Sequence, residues 1–477
     1  MHITWSDLVS GAADALDGVR VEVTGWMVPV DDREEHGCFL LAPEPPCCAA
    51  CPPTDPLTTI AVFASHPIGH PGAELRVAGQ WRRVTDDAAG WLFQLRDAVP
   101  IPAEAAPPTA FAFTRRGMLA AGAAIGLSAF GSGRAYGAAG EDSRSAARRI
   151  LADTLTVDLH SHAGRVLPGR DASRPRPFEA LAEPMRDGGL SVACLAIVAD
   201  SPTTEITPER RIRAVRQPEP GELHAWGRAA LDRLHRLIAE QRLAVVTDAA
   251  TLRAARTAGP AVVVAAEGAD FLEGVADRLD EAHAGYRLRH LQLTHYRVNE
   301  LGDIQTETPV HGGLTAFGAE VVRRCNRLGI VVDVAHGTTD LVKRAAAVTT
   351  KPLVLSHTSL AVTSLSGRPP RRSRRITADH ARIVAGTGGV VGVWPPTSEF
   401  PDLTAYAGGV ARMADAVGVD HVGIGSDMMG LLSPSALPSY RRLPHLAASL
   451  LEVGFRPDEI GRILGGNYAR VFAASVG

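Results

Sequence analysis

From Ala146 onward, short apolar runs alternate with stretches whose hydrophobic positions recur every three or four residues. The apolar runs are 155–159 (LTVDL), 191–198 (SVACLAIV), 261–266 (AVVVAA), 290–294 (HLQLT), 329–335 (GIVVDVA), 352–356 (PLVLS), 388–394 (GGVVGVW) and 420–426 (DHVGIGS). Runs this nearly continuous suit strands buried on both faces, as in a parallel sheet. Helical patterns lie between most of them, such as Leu223–Glu240 and Leu314–Arg327. The second has apolar residues at 314, 317, 321, 322 and 328, roughly one helical face. Eight strands with intervening helices predict an α/β fold, a TIM-like (β/α)8 barrel over 141–477. A doubly wound open sheet is the alternative.

The first hundred residues carry a different pattern. Five short β-branched or aromatic runs, VRVEVTGWMVPV, CFLLAP, LTTIAVFA, ELRVAGQWRRV and GWLFQLRDAVPI, are separated by Gly, Pro and Asp turns. They predict a small β domain over 1–100, a barrel of the OB kind. Such barrels can bind nucleic acid, but this one shows no basic, aromatic face. Cys38, Cys47, Cys48 and Cys51 cluster in or beside a proline-rich loop, PEPPCCAACPP. They lack a second clear pair to complete a zinc site with His36, and read as structural or redox-inert thiols.

Between the two patterns, 101–140 is a Pro/Ala linker followed by Thr114-Arg115-Arg116-Gly117-Met118-Leu119 and an alanine-rich apolar stretch. Paired arginines, a weakly apolar core and small residues near Ala135–Ala138 form a twin-arginine-type export signal. Its apolar core, ~15 residues, is short for a spanning helix. The expectation is an exported, periplasmic or membrane-associated barrel, with segment 117–133 as the membrane contact; without a working signal the protein is cytoplasmic. The internal position leaves three readings: a domain retained in the cytoplasm, a fusion, or a true start further downstream.

The chain has 477 residues, 45% hydrophobic, with a net charge of −3, which implies no polyanion partner and no nucleic acid. Six cysteines are too few for a disulfide scaffold, and Cys194 and Cys325 sit in apolar runs as core residues. Seventeen histidines are many for this length, and several fall at strand ends. In TVDLHSHAG, His160 and His162 are two residues apart, so both can face one metal ion from one strand. Further strands end in Glu267, His295, His336, His357 and Asp427. In a (β/α)8 barrel these ends carry the chemistry. Four histidines and one carboxylate suit two borderline divalent ions, most simply zinc. Glu267 can bridge the two ions, and water between them is acidified toward hydroxide. Asp427 then serves as proton acceptor. Asp158 and Asp333 read as hydrogen-bonders behind the site, and Asn299 and Asp303 as residues that fix the loop after strand four.

Residues 155–477 resemble the membrane (renal) dipeptidases, peptidase family M19 of the amidohydrolase superfamily. The resemblance rests on AAEGADFLEG around Glu267, LQLTHYRVNELGD around His295 and GLTAFGAEVVRRCNRLGIVVDVAH ending at His336. KPLVLSHTSL around His357, DHVGIGSD around Asp427 and ILGGNYARVF near the C-terminus extend it. It implies a binuclear zinc hydrolase of dipeptides with a metal-bridging hydroxide as nucleophile. Glu267 matches the bridging ligand, His160 a ligand of one ion, and His336 and His357 ligands of the other. His295 matches the residue that polarises the scissile carbonyl, and Asp427 the acid/base. Arg374, with Arg375 nearly as good a match, falls where the family takes the substrate carboxylate.

There are two departures. The family has His-x-Asp where this chain has His160-x-His162, and D-F-D-G where this chain has Asp427-Met428-Met429-Gly430. His162 can still ligate, but removes one negative charge from the site. Both departures leave hydrolysis in place and open the substrate to other small amides or lactones. A binding protein on the same barrel is the third reading, opposed by the complete set of ligands and acid/base residues. A homodimer is compatible with the sequence.

Overall fold

Five strands near the start of the chain pair into a closed barrel. They are β1 (Arg20–Pro29), β2 (Glu35–Ala42), β3 (Ile60–Gly69), β4 (Glu74–Arg83) and β5 (Phe93–Pro100), in spatial order β1-β2-β3-β5-β4. Only β3 and β5 run parallel; the other neighbours are antiparallel. Alternate residues fill the interior, among them Val21, Val23, Phe39, Leu41, Val77, Trp81, Phe93 and Leu95. Trp81 stacks on Phe93 with ring centres 5.2 Å apart, and its indole N–H donates to the Ala13 carbonyl at 2.9 Å. This is the small OB-like barrel expected from the turn spacing.

The structure, a computed structural model, describes residues 2–10, 12–29, 35–43, 59–69, 74–83, 93–101, 141–168, 177–207, 211–361 and 374–477. The cysteine-rich loop with Cys47, Cys48 and Cys51, the side chain of Cys38, the twin-arginine segment and Arg371–Ser373 lie outside them. Two compact units emerge, Met1–Ser132 and Gly133–Gly477.

In the second unit all eight strands expected from the apolar runs form: β6 (Val157–Ser161), β7 (Val192–Val198), β11 (Ala261–Glu267), β12 (Leu288–Gln292), β13 (Val331–Asp333), β14 (Val354–Thr358), β15 (Val390–Val393) and β16 (Val422–Ile424). They are parallel and neighbour one another in chain order. The pairings β7–β11 and β16–β6 complete the circle. Three short strands escaped the sequence reading. β8 (Thr204–Ile206) and β9 (Ile212–Ala214) form a hairpin, and β10 (Ala244–Val245) borders β11.

Each strand is apolar on both faces because each face meets a different partner. Ala193, Leu195, Ile197, Val262, Val264 and Ala266 pack outward in the large core with the helices. Cys194, Ala196, Ala261, Val263 and Ala265 belong to an inner cluster with Tyr468, Val471 and Phe472 of the C-terminal helix Asn467–Val476. Glu267 continues the inward series 261, 263, 265, so the pleat delivers its carboxylate into the barrel mouth. The helix that follows β12 spans Ala316–Leu328, two residues later than the pattern suggested, because the Thr315 side chain accepts from the Gly318 N–H and caps it. Among the described residues, no helix is long and apolar enough to cross a membrane.

Candidate active site

The two histidines of the first barrel strand converge as their spacing predicts. His160 Nε2 and His162 Nε2 lie 3.2 Å apart. Across the mouth, His336 Nε2 and His357 Nε2 lie 3.1 Å apart. Glu267 stands between the pairs. Its Oε1 is 3.2 Å from His336 Nε2 and 3.5 Å from both His160 and His357; its Oε2 is 3.1 Å from His162 Nε2 and 3.4 Å from His295 Nε2. Asp427 Oδ1 closes the open side, 3.5 Å from His162 and 4.0 Å from His160. All seven residues are buried. His160, His162 and Asp427 can share an ion, as can Glu267, His160 and His357, and Glu267, His295 and His336.

The donor set fits metal on chemical grounds. His162 Nδ1 lies 2.9 Å from the Ala196 carbonyl oxygen, an acceptor only, so the neutral ring carries its proton there. Its Nε2 lone pair then points at a carboxylate oxygen. Two lone pairs at 3.1 Å repel unless a cation stands between them. Nε2 pairs at 3.1–3.2 Å also match the separation of about 3.3 Å between ligands of a tetrahedral zinc with bonds near 2.0–2.1 Å.

Electrostatics of the side chains alone run the same way. Burial pushes His336 and His357 well below the ordinary imidazole range, helped by Arg374 near both and by His160 near His357, which keeps them neutral and able to ligate. Burial opposes charge on Glu267, but the neighbouring His295 and His160 hold its carboxyl well below its usual value. Burial, reinforced by Glu267, raises Asp427 to about 6. Burial disfavours the His295 cation, yet Asp200 and Glu267 overcome it and lift that ring to about 9.

Two of these residues hold strained backbone. His336 has φ 67° and Asp427 φ 47°, in the left-handed region that residues other than glycine rarely occupy. Such strain, roughly 1–3 kcal/mol per residue, persists where surrounding structure imposes it and gathers at functional sites. Beside Asp427, a side chain at Gly430 would come within 2.1 Å of Asp427 Oδ1 and 2.6 Å of His162 Cδ2, so only glycine fits.

The structure separates the two arginine candidates. Arg374 turns inward and is buried, with Nη1 donating to Gln305 Oε1 at 2.6 Å and Nη2 to the His357 carbonyl at 3.1 Å. Arg375 faces outward and pairs with Glu399 at 3.1 Å. Asp158 accepts from the Ser426 N–H at 2.8 Å and from the Tyr440 hydroxyl at 2.8 Å, tying β6 to the segment that carries Asp427. Asp333 meets His290 Nε2 at 3.2 Å. Asn299 and Asp303 hold the loop after β12 through backbone N–H groups of Leu301, Val310, His311 and Gly313.

Sequence reasoning missed Asp200 and Trp394. Asp200 follows β7, is fully buried, and meets His295 Nδ1 at 2.7 Å. Trp394 follows β15 and lies against His357 and Arg374, 5.9 Å between ring centres and 5.4 Å to the guanidinium carbon. They occupy the two strand ends that had offered no candidate; an Asp before Ser-Pro reads as a turn, and a Trp in an apolar run reads as core.

Comparison with known proteins places this geometry. The chain is 32% identical over 209 residues to the dipeptidase verJ of Clonostachys rogersoniana, covering 43% of this chain and 53% of that one. It is 31% identical over 218 residues to the dipeptidase aclJ of Aspergillus oryzae, covering 43% and 49%. The chain thus spans about half the length of these curated relatives. Among solved structures, the probable dipeptidase PvdM of Pseudomonas aeruginosa aligns with a TM-score of 0.57 at 18% identity, over 70% of this chain and 98% of that one. A metallo peptidase of Rhodobacter sphaeroides, liganded with a phosphinate mimic of the dipeptide L-Ala-D-Ala, aligns with a TM-score of 0.56 at 20% identity, over 68% and 100%. These structures share the barrel fold. The family model for membrane dipeptidase (peptidase family M19) matches residues 144–476, and the chain belongs to that family.

Proposed function

We propose that the barrel is a binuclear zinc dipeptidase. The observation that carries this reading is Glu267, whose two carboxylate oxygens each face imidazole nitrogens from different strands. Two zinc ions held by His160, His162, Glu267, His336 and His357 would polarise the scissile carbonyl and acidify the attacking water. Asp427, buried with its carboxyl raised to about 6, takes a proton from that water and returns it to the leaving amine. His295, its Nδ1 held by Asp200, presents Nε2 to the carbonyl oxygen as negative charge grows there. Arg374 takes the free carboxylate of the substrate. His162 and the Met428-Met429 loop keep a second reading open, hydrolysis of another small amide or lactone.

Metal analysis of the purified protein and a hydrolysis screen over dipeptides, N-acyl amino acids and lactones test the reading together. About two zinc per chain with dipeptide turnover is expected. A metal-free active enzyme, or turnover confined to lactones, refutes it.

A further inference from the structure

Arg374 is a buried cation that touches no carboxylate among the described residues, although Glu267, Asp427 and Asp333 act on it from further off. Among the described residues its guanidinium meets no carboxylate within 4 Å, and its Nε has no hydrogen-bond partner. Burial lowers its pKa, in keeping with a desolvated charge. The partners it does have are neutral. Gln305 Oε1 takes one N–H of Nη1, and the His357 carbonyl takes one of Nη2. Arg374 also accepts from the Thr358 hydroxyl at 2.8 Å through its own carbonyl.

The Gln305 contact fixes more than one angle. Its backbone N–H donates to the His336 carbonyl at 2.8 Å. The guanidinium is therefore tied to the backbone of His336 through Gln305 and directly to that of His357, the two histidines that face each other at 3.1 Å. A group gripped by Arg374 is held at a set distance from that pair. The chemistry of residue 305 matters as much as its reach. An amide oxygen orients the guanidinium and leaves its full positive charge for a ligand, whereas a carboxylate there would grip the fork itself and cancel the charge.

We propose that Gln305 is a positioning residue that sets the preference of this site for a free carboxylate, by holding Arg374 aimed with no carboxylate in contact with its guanidinium. The proposal rests on the dipeptidase reading above, and its test separates the two. Wild-type, Gln305→Glu and Gln305→Ala proteins, purified with their metal, are titrated with a phosphinate dipeptide mimic bearing a free carboxylate and with its C-terminal amide. The dipeptide and the dipeptide amide are assayed in parallel for kcat and KM, and thermal unfolding shows that each variant folds.

Gln305→Glu is expected to weaken binding of the acid mimic, and raise KM for the dipeptide, by about tenfold or more, while the amide is bound as well or better and kcat moves little. Gln305→Ala, which frees the guanidinium without neutralising it, is expected to show a smaller loss, again confined to the acid. Equal losses for acid and amide in the variants, or an unchanged acid preference, overturn the role of Gln305. A wild type that binds the acid mimic without turning over dipeptides overturns the dipeptidase reading alone, since the binding titration still decides on Gln305. If Gln305→Glu fails to fold, the Gln305→Ala comparison decides by itself.

Discussion

His295 Nδ1 lies 2.7 Å from Oδ1 of Asp200, a fully buried carboxylate whose other oxygen accepts the Tyr296 N–H at 2.9 Å. One carboxylate thus fixes both the ring and the backbone just beyond it. With Nδ1 held by Asp200, Nε2 is the ring atom that faces Glu267, 3.4 Å from its Oε2.

Asp200→Asn keeps the shape but removes the negative charge that lifts the His295 ring and holds its Nδ1 proton. We expect kcat to fall by about 10²-fold with little change in KM, since the interaction matters most as charge develops on the carbonyl oxygen. Steady-state kinetics alongside thermal unfolding decide. A drop in thermal stability with unaltered kcat would show that Asp200 serves the loop and not the chemistry.

His162 stands where the resemblance to the family leads one to expect an Asp, and its place as a metal ligand is a proposal. His162→Ala should lose one of two metals while the barrel stays folded, and His162→Asp should regain it. Metal content by elemental analysis, with circular dichroism for the fold, checks both. Full metal content in His162→Ala would make the residue a bystander, despite its 3.1 Å approach to Glu267.

The site was legible where function coincides with a strand end. His160, His162, Glu267 and His357 sit at the ends of apolar runs, so the strand pattern and their residue types together marked them as candidates. His336 and Asp427 were also found from the sequence, but their left-handed backbone was not, because nothing in VDVAH or GIGSD requires it. Arg374 and Arg375 are adjacent in a polar loop, and only packing shows that one turns inward and its neighbour meets Glu399. Gln305 was invisible for a related reason: a glutamine in a loop carries no chemistry until its partner is known. The β8–β9 hairpin was missed because three-residue strands such as TEI and IRA are too short to show alternation.

His380 gives the pH prediction. It is buried, its Nδ1 lies 3.1 Å from the Thr339 hydroxyl, and burial, with Arg374 nearby, lowers its pKa from 6.5 to about 4. Between those values the unfolded chain binds more protons than the folded one, so stability rises with pH. The contribution is complete above about pH 6.5 and lost on acidification toward pH 4, at most about 3 kcal/mol. His380→Leu should flatten that limb in urea unfolding at pH 7, 6, 5 and 4.5. Parallel wild-type and variant curves would dismiss the residue as the source.

Arg115-Arg116 and the apolar stretch behind them motivate an export prediction. The barrel should be found outside the cytoplasm, with a mature N-terminus near residue 138, and Arg115→Lys with Arg116→Lys should hold it inside. Cell fractionation with N-terminal sequencing of the exported form measures this. A barrel that is cytoplasmic in both wild type and variant rejects the signal.

The two buried carboxylates of the site ought to fail in different ways when neutralised. Glu267 is central: its oxygens lie within 3.5 Å of nitrogens from five histidines. Glu267→Gln removes the charge that balances any bound cations, and an amide nitrogen cannot ligate on one side. It should therefore lose metal as well as rate. Asp427 lies at the rim, no nearer than 3.5 Å to His162, with its carboxyl raised to about 6 by burial and by Glu267. Asp427→Asn preserves the shape that Gly430 leaves room for, and should keep both metals. What it loses is the proton acceptor, so kcat should fall by ~10²–10⁴-fold, the range for a general acid–base group. KM should move less if, as proposed, Arg374 and not Asp427 takes the substrate carboxylate. Metal content and kcat measured for both variants on one substrate make the comparison. If Asp427→Asn turns over at a near-normal rate, Asp427 is no proton carrier. If its whole defect is missing metal, it is a ligand, and the proton must leave by another group.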